Sequence, residues 1–445
     1  MATSRTRRPT RPSRPGRTTG PALALVAALV LAGCSGGSSS GSGTRGAPSA
    51  PASPTGPARV GPQRAAAVEQ RILDQRARAV RTHDLGLFLR RVDRRDPALV
   101  ARQTRYFANL VQLPLARFDY RVLATTWRVT APPRWGRDVR VPQVALSMQL
   151  QGFDAVPVDR TVGFAFDLGH GPARIVSDRA PDGAALFSGA PAPWDLTAIT
   201  VRRAPGVLGI FDARTLGSAS TVLGAVREGI GSVSRIVPYP WSRHVVVYSV
   251  KDSSVLDSFT DVPGGTLDHL GAMAFPTYSR DGGATVASTR MLMMPSSVAA
   301  GQPFLGRITR HELTHVALGP RDDGTPAWVS EGIAEYVGAR DLPTPQRIIP
   351  TSALATAAGP VTGMPATKNF NGPDQEWHYA LSWMAFDYVA ATAGESRVWE
   401  LLAAMHRAGA ASGDRGQDRV LQQVLGYDGV ELAKRAAARI RAIYG

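Results

Sequence analysis

Two histidines four residues apart indicate a metal site. His311 and His315 enclose the segment His-Glu-Leu-Thr-His, and residues four apart on an α-helix project from the same face. Two imidazoles on one face can bind a single ion. Glu312 lies one step further round the helix, where its carboxylate can reach a water beside that ion. The pattern therefore predicts a helix with a Zn²⁺ site and an adjacent general base.

The next segment offers a third ligand, which a catalytic zinc site needs besides an open position. Thr325–Pro326 predicts the start of a second helix, and Gly338 predicts its end. Glu331 and Glu335 are again four apart, so spacing alone allows either to be the ligand. We assign Glu331, because Gly332 beside it would let this helix approach the metal helix closely. Glu335 then lies one turn further on, where it can accept a hydrogen bond from a ligating imidazole.

These segments together resemble one group of zinc peptidases. His-Glu-x-x-His followed by Trp-x-x-Glu-Gly-x-Ala-Glu-Tyr, here Trp328–Tyr336, is similar to the gluzincin clan, which includes thermolysin-like and alanyl-aminopeptidase-like enzymes, and to bacterial proteins grouped as peptidase MA-like. The specific likeness covers roughly residues 300–340, and a looser one extends from about residue 240 to the C-terminus. In this resemblance Glu331 stands at the position of the third ligand.

The resemblance implies hydrolysis of peptide bonds in a peptide or protein substrate. Water activated by zinc attacks the carbonyl, and Glu312 takes its proton and delivers it to the leaving amine. A tyrosine or histidine from a helical C-terminal lobe stabilises the transition state, and Tyr379 and His378 are the candidates, with Tyr379 favoured. An endopeptidase is favoured over an aminopeptidase, since no Gly-x-Met-Glu-Asn-like anchor for an α-amine precedes His311.

A second function is compatible with the same sequence. The chain could be an envelope-anchored binding or scaffold lipoprotein in which the zinc site is vestigial and the N-terminal region carries the function. Zinc content and a loss of hydrolysis in Glu312→Gln would separate the two functions, because a pure binding protein shows no such loss. A covalent nucleophile is not indicated. The one cysteine is Cys34, and the two Gly-x-Ser-x-Gly matches, at residues 33–37 and 37–41, lie in a Ser/Gly-rich stretch without the strand and helix that the motif requires.

Residues 1–33 have the composition of a bacterial signal peptide. An apolar segment, Pro21–Ala32, is too short to span a bilayer permanently. Six arginines precede it: Arg5, Arg7, Arg8, Arg11, Arg14 and Arg17. Leu-Ala-Gly-Cys at its end resembles the lipobox of lipoproteins, which implies cleavage before Cys34 and lipid on that residue. We therefore expect a lipid anchor in the cell membrane, on the extracytoplasmic face, followed by a Ser/Gly/Pro-rich tether over residues 34–63.

Net charge gives no indication of a nucleic-acid partner. The formal charge is +16, but it comes almost entirely from arginines spread along the chain, whereas nucleic-acid binding favours a basic face with interleaved aromatic residues. We therefore expect a solvated basic surface and no nucleic-acid partner. The sequence leaves the oligomeric state open.

The hydrophobic periodicity predicts an α+β protein with two domains. Residues 64–190 begin with helices as far as Val122. Their period then changes to that of antiparallel strands over Asp119–Val129, Gln143–Gln151 and Thr161–Asp167. This part resembles an NTF2-like or cystatin-like domain.

Residues 191–445 follow the order of a zincin-like metallopeptidase domain with a helical C-terminal lobe. The strand Thr285–Met294 directly precedes the metal helix. In the resemblance this strand borders the cleft, where it can pair with an extended substrate. His244 and His269 lie outside the motif and are interpreted as structural or surface residues.

Overall fold

The computed structural model describes residues 61–445 except 170, 261, 263–266, 268–269, 281–282 and 284. Within them the protein is of mixed α+β class, as predicted. The signal segment, Cys34 and nearly all of the tether lie outside the described residues, and so does His269. Helix α1 begins at Pro62, inside the predicted tether.

The chain from Ala58 to Gly445 forms one compact unit. Its helices within the described residues are α1 Pro62–Arg81, α2 Leu85–Leu89, α3 Pro97–Leu110, α4 Pro193–Leu196, α5 Ala219–Ile236, α6 Ser253–Leu256, α7 Pro295–Ala300, α8 Phe304–Leu318, α9 Ala327–Arg340, α10 Thr351–Ala357, α11 Gln375–Ala393, α12 Glu395–Ala408, α13 Gly413–Leu425 and α14 Gly429–Tyr444. The strands are β1 Leu115–Thr126, β2 Val139–Arg140, β3 Pro142–Leu150, β4 Val158–Gly163, β5 Ala165–Asp167, β6 Arg174–Ser177, β7 Thr200–Ala204, β8 Val207–Phe211, β9 Val245–Ser249, β10 Ala272–Tyr278 and β11 Val286–Met293.

Capping residues divide the first part of the chain into three helices. The side chain of Asp84 accepts a hydrogen bond from the Leu87 amide at the start of α2, and Asp96 does the same for Leu99 at the start of α3. The antiparallel sheet β1-β3-β4 follows, and burial along β3 alternates strictly. The predicted change from helix to strand is therefore present, although the strand begins at Leu115, so the prediction of helix as far as Val122 was wrong.

A five-stranded sheet in the order β10-β11-β9-β8-β7 lies at the centre of the compact unit. The strand before α8 is β11, and it borders the cleft at residues 286–289, as predicted. It lies between β10 and β9, however, so the prediction that it can pair with an extended substrate was wrong. The edge strand is β10, which the sequence analysis missed. The amide of Met294 donates to the carbonyl of Gly271, and in an antiparallel pair such bonds fall on alternate residues. The polar backbone atoms of Ala272, Ala274 and Pro276 therefore face the free edge.

Apolar side chains pack on both faces of this sheet. On one face Val247 and Met291 belong to a cluster that includes side chains from α5, α8, α9 and α11. On the other face Val246 and Leu292 belong to a cluster that extends back to Ala65 in α1. A shared core thus crosses the predicted boundary at residue 190, and two independent domains remain a prediction.

The C-terminal region is helical, as predicted. Helix α11 has the predicted bounds, and Asp428 caps α14 by accepting from the Glu431 amide. None of the helices in the described part of the chain combines the length and apolar character needed to cross a bilayer.

Two glycines let α9 pack closely between two other helices. A Cβ at Gly332 would lie 2.7 Å from the carbonyl oxygen of Ser382 and 2.8 Å from Phe386 Cδ2, both in α11. A Cβ at Gly338 would lie 3.1 Å from the carbonyl oxygen of Arg307 in α8. The expectation that Gly332 faces the metal helix was therefore wrong, since Gly338 makes that approach. Gly338 does not end the helix either, because α9 continues to Arg340.

Gly332→Ala should destabilise the protein by about 1–3 kcal/mol, because the added methyl group overlaps backbone that cannot move independently. Gly224→Ala is the matched control, since Gly224 lies inside α5 and a Cβ added there would have no atom within 4 Å. That variant should be neutral or more stable by up to about 1 kcal/mol. Urea unfolding measures both. Equal free energies of unfolding for the two variants would contradict the close packing of α9 on α11.

Candidate metal centre

Helix α8 has one apolar buried face and another that carries the two histidines. Leu305, Thr309 and Leu313 are buried and recur at helical spacing, and Thr309 and Leu313 lie against Gly229 of α5. His311 and His315 project from another face into a cleft. Burial of the apolar face therefore fixes the rotation of α8, and this rotation aims both imidazoles at α9.

The side chains of His311, His315 and Glu331 converge on one point. The Nε2 atoms of the two imidazoles are 3.2 Å apart. Glu331 Oε2 lies 3.2 Å from His311 Nε2 and 3.6 Å from His315 Nε2. One donor atom from each residue lies within 4.8 Å of the others, so the three form a possible metal-binding triad. The structure thus brings together the residues predicted as ligands.

Carboxylates hold the far nitrogen of each imidazole. Glu335 Oε1 lies 3.1 Å from His311 Nδ1, and Asp322 Oδ2 lies 2.9 Å from His315 Nδ1. Ser330 in turn donates a hydrogen bond to the second oxygen of Asp322. Contacts of this kind fix the ring orientation and leave the Nε2 lone pairs toward a shared ion.

Arg307 anchors the carboxylate of Glu335. Its guanidinium lies 2.5 Å from Glu335 Oε2 and also donates to the carbonyl of Ile348. Burial raises the pKa of the Glu335 carboxyl, but Arg307 and His311 outweigh that effect and hold the pKa at about 2. Glu335 therefore stays charged and keeps its contact with the imidazole.

The centre favours positive charge between its imidazoles. Burial lowers the pKa of His311, but Glu331 and Glu335 outweigh this and raise it to about 10. The pKa of His315 is also raised well above its usual value, because Asp322 and Glu331 outweigh the effect of burial. Burial raises the pKa of Glu331, yet the two imidazoles hold it far below its usual range. A metal cation at this point is stabilised by the same field.

The donor set and the charge both fit a divalent metal ion. Two neutral imidazoles and one carboxylate form a ligand set that zinc accepts. Four carboxylates surround the point, those of Glu312, Glu331, Glu335 and Asp322, against the one guanidinium of Arg307. The remaining positive charge has to come from protonated imidazoles or from a bound cation. Such an excess of buried negative charge is unfavourable without a compensating cation.

Glu312 is hydrogen-bonded to the edge strand. Its Oε2 accepts a hydrogen bond of 2.6 Å from the amide of Ala274 in β10. Burial is the largest effect on the carboxyl and raises its pKa above the usual value. A buried carboxylate with a raised pKa, held beside a possible metal-binding triad, is suited to accept a proton.

Tyr379 and His378 have different surroundings. Tyr379 lines the cleft, with its ring centroid 6.3 Å from that of His311, and its hydroxyl donates to Asn371 Oδ1 at 3.2 Å. His378 Nδ1 lies 2.8 Å from the carbonyl oxygen of Phe370, and its ring contacts the Phe370 ring. Of the two candidates, Tyr379 is the one whose ring lies beside the possible metal-binding triad.

The cleft around the centre has a volume of about 1200 Å³. Its walls include β10, the start of β11, α8, α9, the start of α11 and two segments distant in sequence, 152–155 and 240–244. A cavity of this size exceeds the roughly 300–1,000 Å³ typical of small-molecule sites. The cleft has room for an extended chain.

The sequence analysis missed three contributors: Asp322, Arg307 and the Ala274 amide. Asp322 lies in the turn between the two helices, and nothing in the sequence distinguishes it from its neighbour Asp323. Arg307 precedes His311 by one helical turn, so helical spacing could have indicated that it shares a face with the ligands. The Ala274 contact depends on the placement of β10 and had no local signal.

Comparison with models of known protein families finds none that matches this chain, and no curated protein matches it. The chemistry of the centre is therefore inferred from its geometry.

Glu331→Ala should abolish zinc binding at micromolar zinc, because it removes one of three protein ligands. Glu335→Ala should still bind zinc but roughly 10–100-fold more weakly, because it removes only the partner of an imidazole. Titration with a zinc indicator gives both affinities. The reverse ranking would make Glu335 the ligand.

Asp322→Asn should also weaken zinc binding by roughly 10–100-fold, because the amide holds the His315 ring less firmly than a carboxylate does. Asp323→Asn is the matched control, since Asp323 is exposed in the same turn. The zinc affinity of this variant should equal that of the wild type. Equal effects of the two substitutions in the titration would contradict the role of the Asp322 contact.

Proposed function

We propose that the chain is a zinc-dependent peptidase in which His311, His315 and Glu331 hold the metal. The observation that carries this proposal is the approach of two Nε2 atoms and one carboxylate oxygen to within 3.2–3.6 Å of one another. Carboxylates on both Nδ1 atoms support it, because they direct the Nε2 lone pairs toward a common ion.

Zinc bound at this point would polarise the substrate carbonyl and lower the pKa of a water molecule toward neutrality. Glu312 accepts the proton of the attacking water. The Ala274 amide holds the carboxylate beside the free edge of β10, which is where a peptide would pair with the sheet. Glu312 then passes the proton to the leaving amine.

Tyr379 supplies a hydroxyl to the oxygen that becomes negatively charged. Burial and the surrounding carboxylates raise the pKa of this hydroxyl well above its usual value, so it remains a donor. Its contact with Asn371, at 3.2 Å, is long enough to be exchanged for one with the substrate. A donor aimed at developing charge stabilises the transition state more than the ground state.

The substrate class follows from the shape of the cleft. Its volume and the free edge of β10 support a peptide or protein bound in extended form, and hence an endopeptidase. With a lipid on Cys34, the enzyme would act at the outer face of the cell membrane.

Glu312→Gln should retain zinc and lose activity by about 10²–10⁴-fold, because the amide cannot accept the proton. His311→Ala should lose both zinc and activity. Glu228→Gln is the control, since this carboxylate is exposed on α5. Cleavage of a quenched fluorescent casein and zinc analysis by mass spectrometry measure the effects.

Hydrolysis by Glu312→Gln at the wild-type rate would contradict the proposed mechanism. A wild-type protein that binds zinc and peptides but cleaves none would instead support a binding or scaffold lipoprotein.

A further inference from the structure

The far end of the cleft is built by segments that hold no predicted metal ligand. One is the turn 152–155 between β3 and β4, and the other is the loop 240–244 that follows α5. Phe153 and His244 meet edge to face, with ring centroids 5.8 Å apart, and Trp241 lines the cleft beside them. We call Phe153, Trp241 and His244 the aromatic wall.

Buried polar contacts fix the turn that carries Phe153. Asp154 Oδ1 accepts hydrogen bonds from Ser288 Oγ at 2.7 Å and from Arg290 Nη2 at 3.2 Å. The amide of Ala155 donates to the carbonyl of Ala287 at 2.8 Å. Because Asp154 and Arg290 are both buried, moving the turn would leave an unpaired charge inside the protein. The turn is therefore a rigid extension of β11.

The loop that carries His244 is fixed in a different way. Arg243 has φ +56°, a backbone conformation that residues other than glycine adopt only where their surroundings impose it. Ser242 accepts a hydrogen bond from the His244 amide on its Oγ, and its carbonyl oxygen lies 2.7 Å from His244 Nδ1. The imidazole is thereby held at the cleft while its ring remains exposed.

The strand register gives the separation between the wall and the reacting centre. Ala274, which contacts Glu312, is paired with Met291. The Ala287 carbonyl, which holds the turn, lies four residues before Met291. At about 3.3 Å per residue this corresponds to about 13 Å along the strand. An extended peptide that is cleaved beside Glu312 and runs parallel to β11 would thus reach the level of the wall with a residue about four positions away.

The wall is aromatic and its three residues carry no carboxylate, but it has two polar groups: the His244 imidazole and the Trp241 Nε1–H, which has no hydrogen-bond partner among the described residues. Asp154 is neutralised by Arg290, and the Phe153 and Trp241 rings are only half-buried. When an apolar group covers partly exposed rings at the end of a rigid cleft, the buried apolar surface makes the contact favourable.

We propose that the aromatic wall is a specificity subsite for a large apolar side chain of an extended peptide, about four residues from the cleaved bond. This inference rests on the proposed peptidase function. It gives the first part of the chain a role in substrate selection, because the turn 152–155 belongs to the antiparallel sheet of that part.

The test uses the full-length chain in detergent with Glu312→Gln, so that bound peptide is not cleaved. The probes are fluorescein-labelled decapeptides of Gly, Ser and Ala that contain one Phe or, in a matched set, one Asp. Fluorescence anisotropy should show about tenfold tighter binding of the Phe peptides, as expected for burial of one aromatic side chain. Adding Phe153→Ala should remove this difference. Leu85→Ala, an exposed apolar residue on α2, should preserve it.

Cleavage by the otherwise wild-type chain gives an independent readout. Mass spectrometry of the products should place the cut about four residues from Phe, and Phe153→Ala should abolish that preference without changing zinc content. Where Phe153→Ala lowers the melting temperature, His244→Ala replaces it, because that ring is exposed.

Equal affinity for Phe and Asp peptides, or a preference that survives Phe153→Ala, overturns the subsite whether or not the wild type cleaves peptides. A preference that Phe153→Ala removes, in a protein that cleaves no peptide, leaves the subsite standing and overturns the hydrolytic function.

Discussion

Helix α9 has to lie against α8 and α11 at once, and the metal centre depends on this double contact. Gly338 lets the helix approach the backbone of α8, and Gly332 lets it approach the backbone of α11. With both contacts made, Glu331 Oε2 stands 3.2 Å from His311 Nε2. Because interiors are close-packed, one methyl group at either glycine would shift α9 and change the distances in the centre.

The packing of α9 also needs positive charge beside the carboxylates of the centre. The centre buries several carboxylates in a small volume, and each would repel the others without counter-charges. Arg307 takes part in three contacts: it pairs with Glu335, donates to the Ile348 carbonyl and lies 4.3 Å from the ring centroid of Trp383. One guanidinium thus connects α8, α9, α11 and the segment before α10. Its planar fork suits this role better than the ammonium group of a lysine would.

The sequence predicted the parts of the centre that depend on local spacing. The helical period placed His311 and His315 on one face, and the same period placed Glu331 and Glu335 on another helix. The sequence could not indicate which neighbouring helix each glycine of α9 approaches, because that depends on where α11 packs. It also missed β10, in which Pro276 weakens the strand signal, and with it the Ala274 contact to Glu312. Asp322 was missed because its contact spans a turn whose shape the composition does not determine.

Strand β11 connects the metal centre to the first part of the chain. One of its edges pairs with β10, whose Ala274 amide holds Glu312. Its Arg290 is buried and bonded to Tyr248 in β9 and to Asp154 in the turn before β4. Breaking such a buried pair typically costs about 3–5 kcal/mol, so the turn cannot move away from the sheet at low cost. The first part of the chain therefore acts as a fixed wall of the cleft, and the register of β11 sets its distance along the strand from the Ala274 contact with Glu312.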